Sequence, residues 1–231
     1  MEMRRYLITA LSLLGLVAAA ATPVMAQSYK SSVGWNAGVL YSTSLNDGAT
    51  GGEGLVDLKP ELTWMAGAHY DRWMGGGQLG YRLQLGFAKQ EIEWIQGPRG
   101  IYVYRGDIGV MLRPAAPTPE RTLLPFVTGG LGFVRWAMGN GAPTTFNSAG
   151  ASYAGDERFQ LTAIAGVGFD FITPWHWGEG PVIVRLEGRN HFQFSSPFDP
   201  VNPEDPDFGL INNISVVLGL HTGLGLLGGG N

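Results

Sequence analysis

The chain has 231 residues, a formal net charge of −4 and no cysteine. This length favours a single domain, and the mild acidity argues against a nucleic-acid-binding protein, which would carry a basic face. Without cysteine there is no disulfide, thiolate metal site or cysteine nucleophile. Glycine occurs 36 times, about twice its usual ~7% share, and three lysines stand against twelve arginines. Both features are unusual for a water-facing surface.

Residues 1–26 have the layout of a secretory signal peptide. Arg4 and Arg5 precede an apolar run over 7–21, and the segment ends in small residues at Val24 and Ala26. The apolar run is shorter than the roughly 20 residues of a membrane-spanning helix, so a cleaved signal is favoured over an anchor. We therefore expect cleavage after Ala26, export, and one mature domain over 27–231.

The rest of the chain alternates between apolar and polar residues. The clearest stretch is Leu79 to Phe87, in which every second residue is a leucine or an aromatic residue. A period of two indicates a β-strand. The alternation leaves the phase of 123–137 open, and its paired glycines predict a kink or bulge. The eight predicted strands cover 33–42, 59–70, 79–87, 101–113, 123–137, 158–171, 182–194 and 211–226.

The predicted connections alternate in length. Residues 71–77 and 172–181 read as compact turns, whereas the long connections are rich in Gly, Asn, Asp, Pro and Ser. The long connections are 43–57, 89–100, 139–157 and 195–208. Short periplasmic turns with long outer loops are typical of an outer-membrane barrel. The predicted fold is all-β, an eight-stranded antiparallel up-and-down transmembrane β-barrel.

The polar face of the strands is predicted to line the lumen. Glycine suits a narrow interior, and the charges on this face are arginines and carboxylates, which pair well when buried. A soluble lipocalin-like carrier, with its apolar face inside, is the alternative fold. The predicted polar network of the lumen consists of Glu61, Arg82, Arg105, Asp107, Arg158, Asp170, Arg185, Glu187 and Arg189.

Aromatic residues gather toward the strand ends on the apolar face. Such rings belong at a membrane–water boundary, which supports lipid contact on this face. The predicted interfacial aromatics are Tyr70, Tyr81, Phe87, Tyr102, Phe169, Phe171, Phe192 and Phe194.

Two segments resemble a known family. Leu124 to Gly132 reads L-P-F-V-T-G-G-L-G and Val184 to Arg189 reads V-R-L-E-G-R. Both are similar to strand signatures of the OmpA/OmpX-like eight-stranded outer-membrane β-barrel proteins. The resemblance implies a monomer in a Gram-negative outer membrane, in contact with lipid and lipopolysaccharide. It also implies delivery by periplasmic chaperones and the barrel-assembly machinery.

One group of residues bears on enzymatic chemistry. Barrels that deacylate lipid A carry a motif similar to H-x-S-N on the lipid-facing side. Here His191 is followed by Ser195 and Ser196, so the step is four residues, and the strand phase places His191 in the lumen. A lumen histidine beside Glu187 and Arg189 is the favoured interpretation.

Two further groups bear on metal binding. His176 lies between Trp175 and Trp177, and no other ligand stands at a metal-site spacing, so an interfacial anchor is favoured. An acidic, proline-rich loop offers oxygen ligands for calcium, but its spacing favours a solvated surface loop. Its acidic residues are Asp199, Glu204, Asp205 and Asp207. We expect no cofactor.

The leading function is non-enzymatic: a structural or surface-interaction protein whose lumen is filled by the arginine–carboxylate network. An eight-stranded barrel is just wide enough for side chains to fill it. A small passive channel and a lipid A-modifying enzyme are the alternatives. The sequence does not identify what the outer loops bind.

Overall fold

The computed structural model of the protein describes residues 31–43, 60–92, 99–118, 120–138, 145–148, 151–155, 159–177, 180–194, 198–200 and 210–224. The predicted signal peptide over 1–26 lies outside these residues. Within these ranges, no helix combines the length and hydropathy needed to cross a membrane.

Strands make up most of the described chain. They are β1 (Ser31–Ser42), β2 (Thr63–Met74), β3 (Leu79–Ile92), β4 (Arg99–Leu112), β5 (Leu123–Met138), β6 (Thr145–Ser148), β7 (Ala151–Gly155), β8 (Phe159–Trp177), β9 (Gly180–Gln193), β10 (Phe198–Pro200) and β11 (Ile211–Leu224). Eight of them close into a barrel in the order β1-β11-β9-β8-β5-β4-β3-β2. All eight pairings are antiparallel. The predicted fold class is confirmed.

Several strands extend beyond the apolar alternation that predicted them. β2 continues to Met74 and β8 to Trp177, which leaves short turns where 71–77 and 172–181 were expected. The extension of β2 rests on backbone pairing, in which Arg72 faces Tyr81 and Trp73 faces Gly80. Backbone pairing does not depend on side-chain polarity, so the pattern alone underestimates strand length.

The two ends of the barrel differ. The "turn end" carries the connections β2–β3, β4–β5 and β8–β9, and the "loop end" carries the connections β1–β2, β3–β4, β5–β8 and β9–β11. Two of the connections at the loop end, β5–β8 and β9–β11, pair with each other. They contribute β6, β7 and β10 to a small antiparallel sheet in the order β10-β7-β6.

The outer wall of the barrel is apolar and the interior is polar. Trp35, Trp64 and Leu161 point outward and are 72%, 77% and 75% exposed, respectively. Most of the buried polar and charged side chains instead occupy the inward positions of the same strands. This arrangement is the reverse of a lipocalin-like carrier, which keeps its apolar face inside.

The structure fixes the phase of β5, which the sequence left open. Leu124, Phe126 and Trp136 point inward and are buried, although their outward neighbours are apolar as well. The expected kink or bulge at the paired glycines is absent from this strand, because its register with β4 runs unbroken. Gly130 instead allows β5 to lie close to β4, since a Cβ there would lie 2.2 Å from the carbonyl oxygen of Ile108.

Candidate functional site

A continuous series of charged side chains occupies the lumen, and we refer to it as the charge chain. Arginines and carboxylates alternate along it from Arg113 to Asp107, and His191 and Arg105 follow. All members are buried: Asp107 has a side chain 4% exposed, and the other residues are at most 5% exposed. From the turn end toward the loop end its members are Arg113, Asp170, Arg185, Asp71, Arg82, Glu187, Arg189, Asp107, His191 and Arg105.

The part of the charge chain nearest the turn end is centred on Asp170. Arg113 donates to Asp170 Oδ2. Arg185 donates to the same carboxylate through two nitrogens, Nε at 2.6 Å and Nη2 at 2.8 Å. The third nitrogen of Arg185, Nη1, donates to Asp71 Oδ2 at 2.6 Å. One planar guanidinium thereby joins two carboxylates, a geometry that lysine does not offer.

Arg82 carries the charge chain across the lumen. Its Nε and Nη2 donate to the two oxygens of Asp71, at 2.6 and 3.0 Å. Its Nη1 donates to both oxygens of Glu187, at 2.9 and 2.7 Å. Arg82 lies on β3 and Glu187 on β9, which stand on opposite walls of the barrel. Charge-assisted, bidentate bonds of this kind are among the stronger hydrogen bonds in proteins.

The chain continues toward the loop end through Arg189. Its Nε donates to Glu187 at 2.7 Å, and its Nη1 lies 3.2 Å from both oxygens of Asp107. His191 Nε2 lies 3.5 Å from Asp107 Oδ2, and its Nδ1 lies 3.3 Å from Arg105 Nη1. Arg105 ends the chain, so five arginines meet four carboxylates among the described members. Pairing is what makes such burial tolerable, because an isolated buried charge is strongly unfavourable.

Aromatic rings support the arginines at the turn end. The guanidinium carbons of Arg82 and Arg185 lie 5.6 and 4.6 Å from the centre of the Phe126 ring. Arg113 lies over Trp73 at 3.6 Å. Cation–π contacts of this kind stabilise a buried guanidinium in addition to its carboxylate partners.

Among the described residues, the buried polar side chains of the lumen near the loop end are uncharged. Ser42 Oγ donates to Asn213 at 2.6 Å, and Asn213 Nδ2 donates to Gln193 at 3.2 Å. Trp136 Nε1 also donates to Gln193, at 3.1 Å, and Gln193 Nε2 donates to Gln160 at 2.5 Å. A second group of side-chain hydrogen bonds therefore occupies the lumen near the loop end.

Most of the residues predicted for the lumen network come together in the charge chain. These are Arg82, Arg105, Asp107, Asp170, Arg185, Glu187 and Arg189. Glu61 does not, and the expectation for it needs correction: it is exposed and precedes the first residue of β2, so the strand alternation does not reach it. Arg158 lies outside the described residues.

Sequence reasoning missed two members of the charge chain. Asp71 was assigned to a turn because the predicted strand ended at Tyr70. Asp71 stands two residues after His69 and therefore faces inward like His69. Extending the alternation by two residues would have identified it as a lumen residue. Arg113 stands in the polar phase of its predicted strand but was left out of the predicted network.

The predicted interfacial aromatics lie on the outward phase of their strands. Toward the turn end, the rings of Tyr70 and Tyr81 lie 6.3 Å apart between centroids. Toward the loop end, Phe87 stacks on Tyr102 at 5.9 Å. Phe169 and Phe171 belong to the half of β8 near the turn end, whereas Phe192 lies at the loop end of β9 and Phe194 directly follows that strand.

The other candidate groups take separate positions. His191 is part of the charge chain, whereas Ser195 and Ser196 lie outside the described residues. His176 is exposed, and its Nδ1 lies 3.2 Å from the carbonyl oxygen of Pro174. Asp199 is a residue of β10, and the other three acidic positions of its loop, Glu204, Asp205 and Asp207, lie outside the described residues.

The barrel is similar to solved outer-membrane proteins. It superposes on the crystal structure of Neisserial surface protein A (NspA) with a TM-score of 0.56 at 9% identity, over 84% of this chain and 97% of that one. The outer membrane protein OprG from Pseudomonas aeruginosa gives a TM-score of 0.46 at 9% identity, over 87% and 97%. No protein-family model and no curated protein sequence matches the chain. The protein has the eight-stranded fold seen in outer-membrane barrels.

Proposed function

We propose that this protein is exported to the bacterial outer membrane and acts there as a non-enzymatic surface protein with a closed lumen. The charge chain carries the proposal, because its ion pairs join opposite walls of the barrel. In this function the barrel anchors and positions the connections at the loop end, and those connections meet the external partner.

The apolar outer wall supports the membrane location. Tryptophans and leucines on this wall are exposed, and aromatic rings stand toward both strand ends. A closed barrel satisfies its backbone hydrogen bonds without water, as a hydrocarbon environment requires. The signal-peptide pattern of residues 1–26 supports export. In this proposal the protein is a monomer that contacts lipid and lipopolysaccharide after delivery by periplasmic chaperones and the barrel-assembly machinery.

The small sheet at the loop end supports a surface-interaction role. β7 pairs with β6 of its own connection and with β10 of the next connection at the loop end, so two connections form one unit. Backbone pairing between loops presents a defined surface at lower entropic cost than separate loops would.

A closed lumen predicts that the purified protein forms no channel in planar lipid bilayers. We expect no discrete conductance steps under conditions in which a general porin gives them, because side-chain hydrogen bonds occupy successive levels of the described lumen. The measurement is single-channel recording on protein whose folded state is verified by heat-modifiable gel mobility.

Two results would contradict the proposal. Discrete steps that change in size on Arg105→Ala or Glu187→Ala would establish a channel through the charge chain. A mass difference between the lipid A of cells with and without the gene would establish a lipid-modifying enzyme.

A further inference from the structure

We propose that His69, Asp71 and His221 form a binding site for a first-row transition metal ion such as Zn²⁺ or Cu²⁺. The three side chains are buried at the turn end of the lumen. One possible ligand atom from each lies within 4.8 Å of the other two. The site is independent of the function proposed for the loops.

The barrel register explains why the two histidines converge. β1 lies between β2 and β11, and Gly34 of β1 pairs with His69 on one side and His221 on the other. A Cβ at Gly34 would lie 2.8 Å from Cε1 of His69 and 2.3 Å from Cβ of His221. Because glycine leaves this space open, the imidazole centroids approach to 5.3 Å, edge to face.

Neighbouring side chains hold the Nδ1 atoms of both rings. Ser32 Oγ lies 3.2 Å from His221 Nδ1, and the Asn36 amide lies 3.4 Å from His69 Nδ1. Metal-bound histidines typically have their second nitrogen held in this way, with Nε2 as the ligand atom. His221 Nε2 also lies 3.6 Å from Asp170 Oδ1. His69 Nε2 is buried and has no hydrogen-bond partner among the described residues.

The amide of Asn36 completes this arrangement for His69. Its Oδ1 is also buried without a hydrogen-bond partner in the described part of the chain. Exchanging the oxygen and nitrogen of an amide by a half-turn is an assignment made from the hydrogen-bond network. After that half-turn Oδ1 accepts a hydrogen bond from His69 Nδ1–H, which leaves the lone pair on Nε2, the atom that lies 4.0 Å from Asp71 Oδ2.

The ligand types select the metal. Two imidazole nitrogens with one carboxylate oxygen suit Zn²⁺ and Cu²⁺, whereas Ca²⁺ and Mg²⁺ require mainly oxygen ligands. Zinc binds such ligands at about 2.0–2.2 Å, so donors now within 4.8 Å of one another need to move by less than about 1 Å each. A water molecule supplies the fourth position.

Asp71 serves the metal site and the charge chain together. Its Oδ2 lies 4.0 Å from His69 Nε2 and accepts from Arg82 and Arg185, whereas Oδ1 accepts from Arg82 Nε. A carboxylate offers about four lone-pair sites, so these three hydrogen bonds leave capacity for an ion. The nearby arginines repel a cation and weaken its binding, which makes the ion exchangeable.

The other two histidines of the chain serve as matched controls. Both nitrogens of His191 are engaged, by Arg105 and Asp107, although this histidine is equally buried. His176 is exposed beside the β8–β9 turn. Neither has the converging partners of the proposed site.

The test is calorimetric titration of the untagged, folded protein in detergent with Zn²⁺. We expect one equivalent to bind to the wild type, to His176→Gln and to His191→Gln, and none to His69→Gln or His221→Gln. Excess Ca²⁺ should not compete. Ser32→Ala, which releases His221 Nδ1, should weaken binding by about tenfold or more, the usual effect of losing such a support.

Gel mobility without boiling verifies that each variant is folded. X-ray absorption of the zinc-loaded wild type adds a readout that needs no variant, and we expect two imidazole ligands. No binding to the wild type, equal binding to all four histidine variants, or a spectrum without two imidazoles would overturn the proposal.

Discussion

Asp71→Ala is expected to destabilise the folded barrel by about 3–5 kcal/mol, the usual effect of removing one partner from a buried ion pair. Arg82 loses two hydrogen bonds and Arg185 loses one, and both side chains stay buried. The imbalance of charge among the described members of the chain also rises from one to two. Urea unfolding of the protein in lipid vesicles, followed by tryptophan fluorescence and gel mobility, measures the effect.

Glu61→Ala is the matched control for Asp71→Ala. It removes an exposed carboxylate near the other end of the same strand, and surface substitutions usually change stability by no more than about 0.5 kcal/mol. If the two variants unfolded at the same urea concentration, the charge chain would contribute no net stability, and the proposed closure of the lumen would lose its physical basis.

Leu85→Arg is expected to destabilise the barrel in a bilayer by about 2–4 kcal/mol, the effect of an arginine on the lipid face at mid-membrane depth. Leu85 is the seventh of fourteen residues in β3 and points outward from the apolar wall. An arginine there would have to carry its charge into hydrocarbon or bend far toward the interface. The same urea titration in vesicles measures the loss of stability.

The control for Leu85→Arg is the same substitution at the edge of the apolar wall. Leu112 ends β4 and also points outward, so Leu112→Arg should cost only about 0–1 kcal/mol, as expected near the interface. Equal and small effects at both positions would indicate that water, not lipid, surrounds the barrel.

The fold was accessible from the sequence because the two faces of each strand meet different surroundings. In β3 the apolar residues from Leu79 to Phe87 all face outward, and Arg82 and Gln84 face the lumen. In β5 this contrast fails, because Phe126 and Trp136 fill the lumen while the outward residues are apolar too. When both faces of a strand are apolar, the sequence pattern does not indicate which residues face the lumen.

The ion pairs inside the lumen were harder to predict from the sequence. The sequence indicates that arginines and carboxylates share one face, but which of them meet depends on register and on which strands stand opposite. Arg82 and Glu187 are joined across the lumen only because β3 and β9 become opposite walls on closure. His69 and His221 meet for a similar reason, through a glycine on the strand between them.

The central claim is that the apolar wall of this barrel faces lipid while the lumen is packed with protein side chains. It is tested most directly by nuclear Overhauser effects between leucine methyl groups and lipid acyl chains, on methyl-labelled wild-type protein in nanodiscs. Leu131 and Leu124 belong to the same strand and are 65% and 1% exposed. We predict a strong acyl-chain signal at Leu131 and none at Leu124; the opposite result, or no signal at either, would contradict the account.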